Sequence, residues 1–159
     1  MKWKCNFFFC IVLITVSFQS QTKLPPFFGD NMVLQQKEKV GIWGNDVPKS
    51  KINITTSWGE KKIVITSSTG NWKTSIQTKK ASFTPETIKI QGSTTVTLKN
   101  VLIGEVWFCS GQSNMEMPLG GLRKSKVLNA QKYIDIANNK NIRLFNTPRI
   151  ASVLPSSSV

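Results

Sequence analysis

Ser113 is the residue that the sequence places best for chemistry. It follows the apolar run Val106-Trp107-Phe108-Cys109 through the small polar turn Ser110-Gly111-Gln112. An apolar run without alternation predicts a strand covered on both faces, as in a parallel sheet flanked by helices. A hydroxyl on the turn leaving the carboxyl end of such a strand stands where open α/β sheets bind their ligands. The chemistry on offer is nucleophilic, a serine oxygen attacking an acyl carbon. Ser113 does not sit in a Gly-x-Ser-x-Gly elbow, because Met115 stands where the second glycine would be. Gln112 and Asn114 flank it with amides suited to pinning its loop. Glu116, three residues on, is placed to cap the following turn; with no histidine to orient, it is given no catalytic role.

The chain contains no histidine. A serine nucleophile needs a base that works near neutral pH, and histidine supplies it most often. Histidine-containing metal sites are excluded on the same ground. No cofactor and no metal is expected. Ser113 therefore lacks its usual partner within these residues.

Gly104-Glu105-Val106-Trp107, followed by Cys109-Ser110-Gly111-Gln112-Ser113-Asn114-Met115-Glu116, resembles the first block of the sialate O-acetylesterase family. That family belongs to the SGNH, or GDSL-like, hydrolases. Gln112-Ser113-Asn114 stands in place of the wider superfamily's Asp-Ser, as is typical of this branch. Two further segments are similar to the same family: Leu24–Gln35 to the start of its mature chains, and Ile142–Arg149 to its second strand. The resemblance implies a carbohydrate O-acetylesterase acting on an acetylated sugar or glycan. It makes Ser113 the nucleophile that forms an acyl-enzyme, and its backbone N–H one oxyanion donor. Gly111, Gln112 and Asn114 become its oxyanion and loop support. The family's other oxyanion donors, a glycine and an asparagine, and its Asp-x-x-His all belong to later blocks that these residues do not include. The expectation is an N-terminal fragment, inactive by itself.

From Lys39 to Asn100 the pattern alternates. Ile52, Ile54, Thr56 and Trp58 interleave with Lys51, Asn53, Thr55 and Ser57, and comparable alternation surrounds Ile63–Ile65, Trp72–Ile76, Ile88–Ile90 and Val96–Leu98. Period two with one wet face predicts antiparallel strands. Turn residues separate them at Gly44-Asn45-Asp46, Gly59-Glu60, Gly70-Asn71 and Gly92-Ser93. The fold expected here is an antiparallel β-sandwich, with Trp43, Trp58 and Trp72 in its core rather than stacked on sugars. Alternation ends near Leu98, so a domain boundary is expected at Asn100–Gly104. Beyond Ser113, Val127, Ala130, Ile134 and Ala137 recur at helical spacing, and Ile142–Phe145 reads as a strand stopped by Pro148. Strand, loop, helix and strand make the opening βαβ unit of an α/β domain, incomplete here. The class is thus mixed: residues 21–100 a β-sandwich, residues 101–159 the start of an SGNH-type hydrolase domain.

Residues 1–20 read as a secretory signal peptide. Lys2 and Lys4 precede the apolar stretch from Phe7 to Val16, which is too short to span a membrane comfortably. The expected location is secreted or periplasmic, with no stable membrane insertion after cleavage. Cys5 and Cys10 leave with the leader, so Cys109 has no partner for a disulfide, and a buried apolar role is expected for it. Lys and Arg number 21 against 8 acids, a formal charge of +13. No run of five basic residues exists, and aromatics do not alternate with the basic residues as in a single-strand groove. A solvated basic surface is expected rather than a nucleic-acid footprint. The sequence sets no oligomeric state. A second function class is a secreted, non-catalytic carbohydrate-binding or scaffolding module built on Lys39–Asn100.

Overall fold

The computed structural model describes residues 21–121 and 127–147. The expected signal peptide lies outside the described residues, as do Pro148 and the stretch 148–159. Among the described residues seven strands carry the fold: β1 (Val33–Gln35), β2 (Lys39–Asn45), β3 (Lys51–Thr56), β4 (Lys61–Ile65), β5 (Asn71–Gln77), β6 (Ser82–Gln91) and β7 (Thr95–Gly104). They form a five-stranded sheet in the order β1-β7-β6-β3-β4 and a two-stranded sheet of β2 and β5.

Alternation in the sequence becomes sidedness in the sheet. Ile52 and Ile54 of β3, Ile88 and Ile90 of β6 and Leu98 of β7 all turn to one face. Ile42 of β2 and Trp72 and Ile76 of β5 join them in one buried cluster, with Phe28 and Leu34 at its margin. Each fully buried isoleucine contributes about 1.5–3 kcal/mol relative to exposure. Trp43 and Trp58 pack against the cluster and Trp72 lies within it, as expected of core residues. Trp43 is held edge-on by Phe27 and Phe28, and the Trp58 indole N–H donates to the Gln77 carbonyl at 2.9 Å.

Two details of the sheet differ from the alternating pattern. β1 runs parallel to β7, pairing Val33 with Leu102, so the large sheet is mixed rather than antiparallel. The long stretch of chain between these strands gives room for the return that a parallel pair requires. In β4 the register sets Val64 opposite Ile52 and Lys62 opposite Ile54. Val64 and the Lys62 stem therefore face the core, while Ile63 and Ile65 point outward, 64% and 59% exposed. On an edge strand, neighbour register overrides side-chain polarity.

A buried carboxylate ties the segment around Thr22 to the sheets. Asp46 accepts the Thr22 hydroxyl at 2.5 Å and the backbone N–H groups of Val47 and Ser93 at 2.6 and 3.1 Å. Burial pushes its pKa up, but hydrogen bonds from Ser93, Thr22 and Val47 outweigh that and hold it below the usual value. Gly92 leaves room for this arrangement, since a Cβ there would stand 2.0 Å from the Asp46 Oδ2. Glu86 is the second buried carboxylate. Burial raises it, whereas the Lys79 ammonium and the Ser57 hydroxyl, both bonded to it, bring it below the ordinary value.

Beyond Gly104 the character changes. The expected parallel strands at Val106–Cys109 and Ile142–Phe145 do not form among the described residues, so the βαβ unit is not assembled there. A strand buried on both faces needs hydrogen-bonding neighbours and covering layers, and among the described residues neither is supplied. Trp107 and Phe108 are 82% and 92% exposed, and Cys109 is an exposed thiol rather than a buried one. The expected helix is present but short, α1 (Ala130–Ile136), with no buried residue. β7 itself continues without a break from Thr95 through Asn100 to Gly104, with Val101, Leu102 and Ile103 buried.

Candidate functional site

The end of β1 directs the chain from β7 toward Ser113. Gln35 and Gln36 donate their side-chain amides to the Glu105 carboxylate at 2.9 and 2.5 Å. The Gln35 side-chain carbonyl accepts the Val106 N–H at 2.8 Å, and the Gln36 N–H bonds the Gly104 carbonyl at 2.8 Å. These bonds favour the charged form of Glu105 and set its pKa below the usual value, Gln35 foremost. The parallel pairing of β1 with β7 thus continues as a side-chain clamp on the first residues of the Ser113 segment.

Ser113 opens a single 3-10 turn, Ser113–Glu116. Gln112 precedes it in extended conformation, with φ −92° and ψ −166°. The turn closes through Met115 N–H to the Gln112 carbonyl at 2.9 Å and Met117 N–H to the Asn114 carbonyl at 3.3 Å. The Met115 side chain folds back over Gly111, where a Cβ would stand 2.7 Å from its Cγ. Gly111, Gln112, Ser113 and Asn114 are contiguous and all exposed. Ser113 in this setting is open to solvent, while the Met115 and Met117 N–H groups of the turn are spent on its own carbonyls. No side chain among the described residues stands as its base.

Beside the turn is a half-open cavity of about 370 Å³ lined by Met115, Glu116, Asn146 and Thr147. Ser113 is adjacent to it in sequence but does not line it. The far wall comes from the segment that follows α1. Arg143 fastens that segment to the sheets: its guanidinium donates to the Met32 carbonyl at 3.2 Å, to the Asn100 carbonyl and to the Asn100 side-chain oxygen at 3.1 Å. Among the described residues no cluster of three or more Asp, Glu or Cys side chains could hold a metal ion.

Sequence reasoning singled out Gly111–Asn114 but missed the residues that hold the segment. Glu105 lay within the Gly104–Trp107 block, and Gln35-Gln36 closes another apolar segment, but about seventy residues separate them. Arg143 and Asn100 are likewise joined only by the fold.

No protein-family model matches the chain. It is 32% identical over 135 residues to the sialate O-acetylesterase of Mus musculus, a match covering 77% of this chain and 24% of the relative. The Rattus norvegicus enzyme of the same name is 33% identical over 129 residues, 74% of this chain and 23% of its own. The Homo sapiens one is 29% identical over 140 residues, 81% and 25%. Among solved structures, a carbohydrate acetylesterase from Xanthomonas citri superposes with a TM-score of 0.76 at 29% identity, covering 87% of this chain and 31% of that one. The chain spans about a quarter of the length of the curated relatives it matches. Over the part that these matches cover, the chain belongs to the sialate O-acetylesterase family.

Proposed function

We propose that this chain carries the nucleophile segment of a secreted carbohydrate O-acetylesterase. Ser113 Oγ attacks the acetyl carbonyl carbon of an acetylated sugar. The bond from that carbon to the sugar oxygen breaks, the sugar leaves as its alcohol with the serine proton, and acetate is freed when water hydrolyses the acetyl-serine. The Ser113 backbone N–H is one oxyanion donor, and Gly111, Gln112 and Asn114 shape the loop. In this reading residues 21–100 are the platform and residues 101–159 open the hydrolase domain. Its apolar segments at 106–109 and 142–145 become strands when further strands pair with them.

The observation that carries the reading is the exposed Ser113 at the head of a tight turn, in a chain of carbohydrate acetylesterase kinship. The same reading makes the chain inactive alone, because it contains no histidine. A positioned base contributes about 10²–10⁴ in rate, and each oxyanion donor about 2.7–4 kcal/mol. Packing of Trp43, Trp58 and Trp72 on the core favours a platform over a tryptophan-based sugar-binding module.

The test is a chimaera in which residues 21–147 replace the matching segment of the mouse enzyme. Release of acetate from an acetylated sugar, lost to background in Ser113→Ala, is the expected result. Full activity in the Ser113→Ala chimaera overturns the assignment. Fluorophosphonate labelling of the chain alone at the rate of an intact serine esterase would refute its inactivity.

A further inference from the structure

The outward face of the five-stranded sheet is basic and polar, and among the described residues no other element packs over it. Register places Lys61 of β4, Thr55 of β3, Lys89 of β6 and Thr97 of β7 in one row across four strands. The next row is Ile63, Asn53, Gln91 and Thr95, and Lys51 beside Ile65 follows on the β3–β4 edge. Lys51, Lys61, Lys89 and Lys99 are all exposed. Among the described residues the two ion pairs are Lys62 with Glu60 and Lys79 with Glu86, so none of these four lysines is paired to a carboxylate. The acids nearest the face are engaged: Glu60 with the Lys62 ammonium at 3.0 Å and the Gln77 N–H, and Asp30 with the Lys99 backbone N–H at 2.6 Å.

We infer that this face binds a linear carboxylated glycan, and the inference stands apart from the esterase reading. Charge complementarity argues for a polyanion. Strand spacing separates Lys61 from Lys89 by about 10 Å, comparable to the interval between alternate sugars of an extended chain. Between the lysines lie Thr55, Asn53, Gln91, Thr95 and Thr97, which offer hydroxyl and amide partners to sugar hydroxyl groups. Ile63 and Ile65 present exposed apolar surface at the edge to the C–H faces of sugar rings. The two rows lack what a nucleic acid would use: they hold no aromatic ring for base stacking and no arginine for bidentate phosphate contacts. A purely protective role, edge lysines that discourage strand pairing, would need neither the central lysine at 89 nor a specific glycan.

The experiment titrates the whole chain with a hexameric oligouronate by calorimetry at low and moderate salt. Saturable binding that weakens with salt is expected, and K61Q/K89Q lowers affinity about tenfold through lost charge contacts. A charge-matched control, K37Q/K80Q, alters positions outside the face and stays within about twofold of the parent. All four side chains are exposed, and unchanged thermal midpoints verify folding in both variants. Absence of binding, equal losses in the two double variants, or equally tight binding of a single-stranded DNA of the same charge overturns the proposal.

Discussion

The residues up to Gly104 and those beyond it are comparably apolar, yet they use that apolarity in opposite ways. In the first region Ile42, Ile52, Ile54, Ile76, Ile88 and Ile90 are almost wholly buried in one cluster. In the second, Trp107, Phe108 and Leu144 stand in solvent, and α1 buries nothing. The difference lies in partners. Strands β2, β3, β5, β6 and β7 have neighbours whose register turns their isoleucines, Trp72 and Leu98 inward, whereas the run at Val106–Cys109 pairs with no strand among the described residues. Stability therefore resides in the sheets, and the candidate chemistry resides in a segment held by a few polar clamps.

Substitutions on either side should separate the two regions most widely. Ile90→Ala removes a side chain with no exposure from the centre of the core. Urea unfolding of that variant is expected to show a loss of about 2–5 kcal/mol. Phe108→Ala, at the opposite extreme of exposure, should change stability by less than about 0.5 kcal/mol. Similar losses in the two would mean that the segment after Gly104 is packed as firmly as the sheets, and the contrast would fail.

Asp46→Ala ranks next. It removes the acceptor of the Val47 and Ser93 N–H groups and leaves the Thr22 hydroxyl only the Thr94 carbonyl, and the lost bonds to a charged, buried acceptor make a loss of about 3 kcal/mol the expected result. The same carboxylate gives the sheet region an acid limit. Asp46 and Glu86 both have folded-state pKa values below their ordinary ones of 3.8 and 4.5. Their contributions are fully present above those ordinary values and fall away as pH drops through them toward the lower folded-state values. Stability should be flat from neutrality to about pH 5 and decline below it. Glu86→Gln should shallow that decline; an unaltered acid limb in this variant would remove Glu86 from the account.

How much of this was legible in the sequence follows the same division. Alternation located the strands from Lys39 onward because each isoleucine's direction is fixed by its own strand. It failed at β4, where Ile63 and Ile65 look like core residues until the pairing of Val64 with Ile52 turns them outward. It also missed the parallel β1–β7 pair, since strand direction depends on the path of the chain and leaves no local trace. Around Ser113 the residue types of Gly111–Asn114 were readable, because a turn's small and polar residues are local. The clamps from Gln35, Gln36 and Arg143 were not, because they arise only once β1, β7 and the later segment meet.

Arg143 offers the finest probe of the comparison, as the guanidinium is where the second region is fastened to the first. Its three bonds reach the Met32 carbonyl and both oxygens of Asn100, a residue in left-handed conformation with φ 53°. Lysine keeps the charge but lacks the planar fork that spans the two Asn100 oxygens. Arg143→Lys should therefore lower global stability by no more than about 1 kcal/mol, because the core does not depend on it. Hydrogen exchange would report the specific effect, with faster exchange at residues 142–147 and unchanged protection in β3 and β6. Faster exchange in the central strands would show that the clamp supports the sheets themselves. Unchanged exchange at 142–147 would show that the segment is held by other contacts, and the wall that Asn146 and Thr147 contribute beside the Ser113 turn would not depend on Arg143.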